Sequence, residues 1–279
     1  MPIVLALLCS LSWGTSDFLG GTLSRRRAAL AVVGGSQAFG LAFMLLIAST
    51  SGSWSTDRGY VGWAILASVT GVGGLLCFYP ALAAGTMGIV APIAALGVLV
   101  PLAAGLLRGE APGGPAVLGI VLAVAGVVLA SGPELSGGAP RRPILLASAA
   151  AALFGLSLLA LAHGSETSAI MTMTGMRITT FVFFLAVLLA VRNVGGLRPV
   201  DLPLLATTGL LDVLANLAYG LASTEGLLSI VSVLGSMYPV VTVVLAWWFH
   251  GERLRAVQYA GVGSVVAGIV LIAAGDVLG

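Results

Sequence analysis

Three ionisable side chains lie deep inside long apolar stretches of this sequence: Asp17, Arg177 and Asp212. An ionisable group at the centre of a bilayer costs at least ~2.5–3.5 kcal/mol on insertion scales, so it normally faces a cavity or a charged partner. Two interpretations of Arg177 and Asp212 are open, an ion pair that locks two helices together and a pair that lines a cavity, and the two are compatible. The two carboxylates are also the candidates for proton coupling.

Polar residues around Asp212 recur at spacings of three and four, which places them on one face of one helix. They are Thr208, Asp212, Asn216, Tyr219 and Ser223. A face this polar is unsuited to lipid, so we expect it to point into a bundle or into water. Another helical face carries the hydroxyls of Ser229, Ser232 and Ser236. These serines either bind a ligand or allow close helix packing.

Aromatic residues accompany the buried charges. Trp13 lies one helical turn from Asp17, and tyrosines supply further rings with a polar tip. A ring face and a carboxylate together suit an amphipathic or cationic organic molecule, although core packing or anchoring at the lipid interface is the alternative for each ring alone. The candidate binding residues are Trp13, Asp17, Gln37, Tyr79, Arg177, Asp212, Asn216, Tyr219, Ser232, Ser236 and Tyr238.

The composition narrows the class of protein that can hold these residues. The chain has 279 residues, of which 59% are hydrophobic and only 8% charged, with a net charge of +2. So few charges disfavour a soluble enzyme, a nucleic-acid-binding protein and a disordered chain. The sequence contains no lysine, which excludes the lysine-dependent P-loop of ATP-driven motors. We expect no cofactor and no metal, and Cys9 and Cys77 are interpreted as buried apolar side chains.

Ten apolar stretches are long enough to cross a bilayer as helices. They cover residues 3–23, 29–48, 61–82, 88–107, 115–131, 143–163, 168–191, 203–223, 227–249 and 256–274. Their continuous apolar character favours helices over the alternating pattern of barrel strands. The sequence therefore predicts an all-α integral membrane protein with ten transmembrane helices.

The chain also repeats itself. Residues 119–130 and 261–272 share six of twelve positions at an offset of 142, which indicates a duplication. We predict two five-helix repeats, 1–136 and 137–279, and because five is odd, the second repeat is inverted relative to the first. Inverted repeats are typical of secondary transporters, and a duplicated scaffold without a transport role is the alternative.

Several motifs resemble the EamA branch of the drug/metabolite transporter superfamily. The sequence WGTSDF occupies residues 13–18, YPVVT occupies 238–242 and GERL occupies 251–254, followed by Gln258, Gly261 and Gly268. The first half carries a degenerate version of these motifs. RGE occupies residues 108–110, and Gly97 stands where the repeat offset would place the proline. The resemblance implies a ten-helix carrier with a central cavity. It does not imply a substrate, because the family moves amino acids, sugars, nucleotides, metabolites and drugs.

Arginines in the connections predict an orientation, because they mark the cytoplasmic side. Nine lie in connections on the side opposite the N-terminus and two on the N-terminal side. This predicts that both termini lie outside, in the inner membrane of a prokaryote, whereas the resemblance implies termini inside. Glu110 and Glu252 precede helices, and we expect each to accept backbone N–H groups at the next helix start. We interpret Glu166, Glu225 and the two histidines as solvated groups at helix ends.

We therefore predict a secondary carrier with alternating access that exports small organic metabolites, amino acids or cationic drugs. Its partners are a small-molecule substrate, membrane lipids and protons, with no nucleic acid. A gradient-driven uniporter or exchanger without proton coupling is the alternative. A membrane-embedded enzyme, a channel and a structural membrane protein are less favoured. The chain works as a monomer or a homodimer.

Overall fold

A computed structural model describes residues 1–54, 57–85, 87–131, 141–192, 195–251 and 256–278. All regular secondary structure within these ranges is helical. The helices are α1 Pro2–Ser24, α2 Ala29–Ser51, α3 Val61–Ala84, α4 Met87–Ala95, α5 Leu99–Leu107, α6 Gly114–Ser131, α7 Arg141–Val191, α8 Leu202–Glu225, α9 Leu228–Gly235, α10 Tyr238–His250 and α11 Ala256–Leu278. The predicted all-α fold is confirmed for the described residues. The predicted repeat boundary at 136/137 lies outside them.

Within the part of the chain that the structure describes, six candidate membrane spans are at least 18 residues long and apolar enough to cross a bilayer. They are Pro2–Ser24, Ala29–Ser51, Val61–Ala84, Arg141–Ala190, Pro199–Glu225 and Leu228–His250. Shorter apolar helices occupy Ile93–Leu107, Gly114–Gly126 and Ala256–Ile272. The first three long spans match the first three predicted stretches within a few residues.

The sixth and seventh predicted stretches are joined in α7, which folds back on itself at Ser168. The backbone of this serine is extended (φ −166°, ψ 113°), and its hydroxyl oxygen accepts a hydrogen bond from the backbone N–H of Met171 at 3.2 Å. Ser168 therefore caps the second arm of the hairpin. A Cβ on Gly164 would lie 2.5 Å from Thr172 on the facing arm, which shows how tight the fold-back is.

The fourth and ninth predicted stretches are interrupted, which the sequence analysis did not anticipate. A 3₁₀ turn at Leu96–Val98 separates α4 from α5, and α9 ends at Gly235, just before α10 begins. Proline has no N–H and cannot donate to the carbonyl four residues earlier. Pro101 and Pro239 stand four residues after Gly97 and Gly235, so both breaks have the same local cause.

The two halves of the chain interleave instead of forming separate bundles. The hydroxyl of Ser16 on α1 donates to the carbonyl of Thr208 on α8 at 3.0 Å. The hydroxyl of Ser157 on α7 donates to the carbonyl of Ala67 on α3 at 2.8 Å. Ser157 follows Ser16 by 141 residues, and Thr208 follows Ala67 by the same number. The same contact is thus made twice, each time between the two halves, and the halves share one core.

Helices α6 and α11 pack mainly against each other. A Cβ on Gly119 would lie 2.7 Å from the carbonyl oxygen of Gly268, and a Cβ on Gly126 would lie 2.7 Å from that of Gly261. Small residues allow two helix backbones this close approach within a membrane. The pair lies away from the centre of the bundle, where the remaining helices meet.

Candidate functional site

A cavity of about 70 Å³ lies where the two halves of the chain meet. Its walls come from near the middle of α1, α2, α3, α8 and both arms of α7, and from the two helix breaks. The residues that line it are Trp13, Asp17, Gln37, Gly71, Val72, Leu75, Ala94, Ala95, Gly97, Val98, Phe154, Ser157, Leu158, Met176, Arg177, Asp212, Asn216, Ser236 and Tyr238. The volume is enough for several water molecules or part of a small organic molecule.

Eight of the eleven predicted binding residues line this cavity: Trp13, Asp17, Gln37, Arg177, Asp212, Asn216, Ser236 and Tyr238. The other three are buried behind its wall. The hydroxyls of Tyr219 and Ser232 are hydrogen-bonded to each other at 2.9 Å. The ring of Tyr79 fills the space beside Gly20, where an added Cβ would lie 2.4 Å from it. These three side chains pack the helices around the cavity.

Asp212 is held by donors from three helical segments. Its Oδ2 lies 2.7 Å from Nη2 of Arg177 and accepts a hydrogen bond of 3.0 Å from Nε2 of Gln37. Its Oδ1 accepts a hydrogen bond of 2.9 Å from Nδ2 of Asn216. Arg177 is only 1% exposed. The pair joins α7 to α8 and also lines the cavity, so its geometry is compatible with both interpretations.

Asp17 differs from Asp212 in its contacts. Its residue is 8% exposed and lines the cavity, and its carboxylate has no hydrogen-bond or ion-pair partner among the described residues. Trp13 lies one turn away on the same helix. The Trp13 ring approaches Tyr238 at a centroid distance of 6.3 Å and Tyr219 at 6.0 Å. The cavity therefore offers an unpaired carboxylate beside an aromatic wall.

The acidic and basic residues that line the cavity are two aspartates and one arginine. In their ionised forms they sum to −1, which favours a cation. Because surrounding protein screens poorly compared with water, this charge acts strongly on anything bound in the cavity.

The cavity wall also includes apolar residues that the sequence analysis did not select. Val72, Leu75, Phe154 and Leu158 belong to α3 and to the first arm of α7. The repeat was the available signal, because offsets of 141 and 140, slightly smaller than 142, align Phe154 with Trp13, Leu158 with Asp17 and Val72 with Asp212. Trp13, Asp17 and Asp212 thus have apolar counterparts in the other half, whereas Arg177 corresponds to Gln37.

Glu110 caps a helix, but not the helix that was predicted. Its Oε1 and Oε2 accept hydrogen bonds of 2.8 Å from the backbone N–H groups of Leu228 and Ser229. These groups begin α9 in the second half of the chain, whereas the expected target was the start of α6. The expectation failed because the fold brings together segments more than a hundred residues apart. Glu252 lies outside the described residues.

The acidic and histidine side chains at helix ends have specific contacts. Arg108 contacts both Glu166, at 3.2 Å, and His163, and the rings of His163 and Trp63 lie 4.7 Å apart. His250 Nε2 lies 3.3 Å from the hydroxyl of Thr22. Glu225 is exposed, as predicted. None of these groups lines the cavity.

Apolar helices around a central cavity with few polar groups define a multi-pass membrane protein of the transporter type. The model of the EamA-like transporter family matches residues 1–132 and again 141–274, and the chain belongs to this family. It is thus a membrane transporter in a lipid environment, with a small molecule as its substrate. The two matches also confirm the resemblance inferred from the motifs.

Comparison with other proteins adds evidence on the fold alone. No curated protein matches the chain. A crystal structure of a protein with 17% sequence identity superposes with a TM-score of 0.75 and covers 97% of this chain and 95% of that chain. The fold is therefore shared over nearly the whole length.

Proposed function

We propose that this chain is an alternating-access secondary carrier that exports a small organic cation, with Asp17 as the group that binds it. The observation that carries the proposal is the unpaired Asp17 carboxylate in a cavity located where the two halves meet. A binding site at the interface of two repeats is the arrangement by which rocking of one half against the other exposes the site to each side in turn.

The proposal includes ten membrane crossings in two inverted repeats. Helices α4 and α5 form one crossing, α9 and α10 form another, and the two arms of α7 form two. Contacts between helix ends support this count. At the end of the bundle where α1 begins, Glu110 contacts Leu228 and Arg108 contacts Glu166. At the end where α1 finishes, Arg27 contacts Asp201.

We further propose that Asp17 exchanges a proton for the substrate, whereas Asp212 is a fixed part of the wall. Asp212 is held by a guanidinium and two amide donors, and protonating it would weaken all three interactions. Asp17 has no such partners. If a proton and a cationic substrate compete for Asp17, entry of protons drives the substrate out, which gives an exporter.

The test is transport by the purified protein in liposomes. A thermal-shift screen of amino acids, nucleosides and cationic amines first selects a ligand, since a specific ligand stabilises by mass action. We expect saturable flux of that ligand, accelerated by a proton gradient. Asp17→Asn should abolish the effect of the gradient, whereas Asp212→Asn should retain a pH-dependent flux at a lower rate.

Asp57→Asn serves as the matched control, because Asp57 is an exposed acid in the connection before α3. Flux in this variant should equal that of the unmodified protein. Full transport by Asp17→Asn with an unchanged pH dependence would contradict the assignment of Asp17. Saturable flux by the unmodified protein that does not respond to a proton gradient would leave a uniporter or exchanger without proton coupling.

A further inference from the structure

We infer that the cationic group of the substrate is a protonated amine that carries N–H donors, and not a quaternary ammonium. This inference rests on the proposed function and names its substrate class. Its basis is a set of acceptors on residues of the cavity wall that lack a hydrogen-bond partner: the carboxylate of Asp17, and the carbonyl oxygen of Gln37 and the hydroxyl of Tyr238. On the same wall, Nε and Nη2 of Arg177 also lack a hydrogen-bond partner, and Nη2 lies 2.7 Å from Oδ2 of Asp212.

The amide of Gln37 has a fixed orientation. Asp212 Oδ2 can only accept a hydrogen bond when ionised, so the amide nitrogen of Gln37 faces it at 3.0 Å. The oxygen Oε1 therefore faces away from Asp212. This oxygen is buried and has no hydrogen-bond partner, although the residue lines the cavity.

Tyr238 presents a second unsatisfied group. The residue is 7% exposed, it lines the cavity beside Trp13, and its hydroxyl has no hydrogen-bond partner. Tyr219 provides the contrast within the same aromatic cluster, because its hydroxyl is hydrogen-bonded to Ser232. A buried polar group without a partner is unusual in a folded protein and calls for an explanation.

A single ligand chemistry satisfies these three acceptors. A carboxylate and an amide oxygen only accept hydrogen bonds, and a tyrosine hydroxyl can also accept one. A primary ammonium has three N–H groups to donate to three acceptors. A quaternary ammonium keeps the charge and the contact with the ring of Trp13 but has no N–H, so it leaves Gln37 and Tyr238 unsatisfied.

The apolar wall indicates the rest of the molecule. Phe154 and Leu158 occupy the positions that correspond to Trp13 and Asp17 in the repeat. They offer no polar side-chain atom to a ligand. An amine bound at Asp17 therefore directs its carbon skeleton toward these residues, so the substrate class is a protonated amine with an apolar or aromatic body.

The experiment compares two probes that differ only in methylation, phenethylamine and N,N,N-trimethylphenethylammonium. Their affinities for the purified protein in detergent are measured by calorimetry. We expect phenethylamine to bind about tenfold more tightly or better. In Tyr238→Phe the ratio of the two affinities should fall several-fold, through weaker binding of phenethylamine alone.

Tyr219→Phe is the matched control, because it removes the same atom from a tyrosine behind the wall and should leave the ratio unchanged. A melting temperature measured for both variants verifies folding. Equal or tighter binding of the trimethylated probe would overturn the inference, and so would an unchanged ratio in folded Tyr238→Phe.

Failure of the inference and failure of the proposed function give different results. If the inference alone is wrong, the trimethylated probe binds at least as well and Asp17→Asn still abolishes proton-driven flux of the screened ligand. If the proposed function is wrong, flux is insensitive to Asp17→Asn, whichever probe binds more tightly.

Discussion

Glu110 caps the helix that begins at Leu228, with a hydrogen bond of 2.8 Å from the Leu228 N–H to its Oε1. The other carboxylate oxygen accepts the next N–H of the same helix start. The first turn of a helix has backbone donors without intrahelical partners and a partial positive charge, and a carboxylate satisfies both. A residue of the first half thus stabilises a helix of the second half at the end of the bundle where α1 begins.

Replacing Glu110 should therefore destabilise the fold. We expect Glu110→Ala to lower the free energy of unfolding by about 0.5–2 kcal/mol, the range found for the loss of a helix cap, measured from unfolding of the purified protein in mixed micelles. Glu166→Ala is the matched control. It removes an acid from an exposed ion pair with Arg108, which contributes about 0–1 kcal/mol. Equal losses in the two variants would show that the cap has no special role.

The buried charges show what a sequence of this kind can and cannot predict. Asp17, Arg177 and Asp212 could be found because an ionisable residue in an apolar helix is expensive and therefore has a reason to be there. Leu158 and Val72 could not be found by composition, because an apolar residue in an apolar stretch is the expected residue whether it faces lipid, core or cavity. Only the internal repeat pointed to them.

Contacts between distant segments were the other limit of the sequence analysis. Glu110 was correctly expected to cap a helix, since its type and its place beside helix starts favour that role. The identity of the helix depends on how the two halves interleave, and no local pattern encodes this. The helix breaks near Pro101 and Pro239 had a local signal, but proline is tolerated in membrane helices, so its presence alone did not predict an interruption.

A close helix crossing at Gly14 leads to a second prediction. A Cβ at this position would lie 2.5 Å from the Cβ of Val241 and 2.6 Å from the carbonyl oxygen of Tyr238. We expect Gly14→Ala to destabilise the protein by about 1–3 kcal/mol or more, because backbone and a branched side chain must move. The equivalent glycine of the second half, Gly155, should respond in the same way, since its Cβ would lie 2.5 Å from the Gly97 carbonyl oxygen.

Gly62→Ala is the control for this pair, because nothing lies within 4 Å of its added Cβ. It lies in α3, where alanine has the higher helix propensity, so a small gain of up to about 1 kcal/mol is expected. Melting temperatures in one detergent compare the three variants. Destabilisation by Gly62→Ala equal to that by Gly14→Ala would refute the crossing as its cause.

The proposed topology predicts which residues reach each side of the membrane. Ala28 and Ala111 are exposed in connections at opposite ends of the bundle. With the native cysteines replaced by alanine, we expect Ala111→Cys to react with a membrane-impermeant maleimide on intact cells, and Ala28→Cys to react only after permeabilisation. The reverse pattern would place both termini inside, and labelling of both sites from outside would contradict the number of crossings between them.

Arg177 and Asp212 provide the last prediction, which concerns coupling between two buried charges. Their atoms lie 2.7 Å apart with side chains 2% and 14% exposed. Removing one partner of a buried pair leaves an uncompensated charge, which costs about 3–5 kcal/mol. We expect this loss in Arg177→Met, and a smaller loss in the double variant Arg177→Met with Asp212→Leu, because neither charge then remains.

Unfolding of the single and double variants in mixed micelles measures the coupling. As a comparison, Arg27→Met removes an arginine whose side chain is 18% exposed from its ion pair with Asp201 and should cost less. A double variant no more stable than Arg177→Met would mean that the two charges do not compensate each other and that their role lies in the cavity alone.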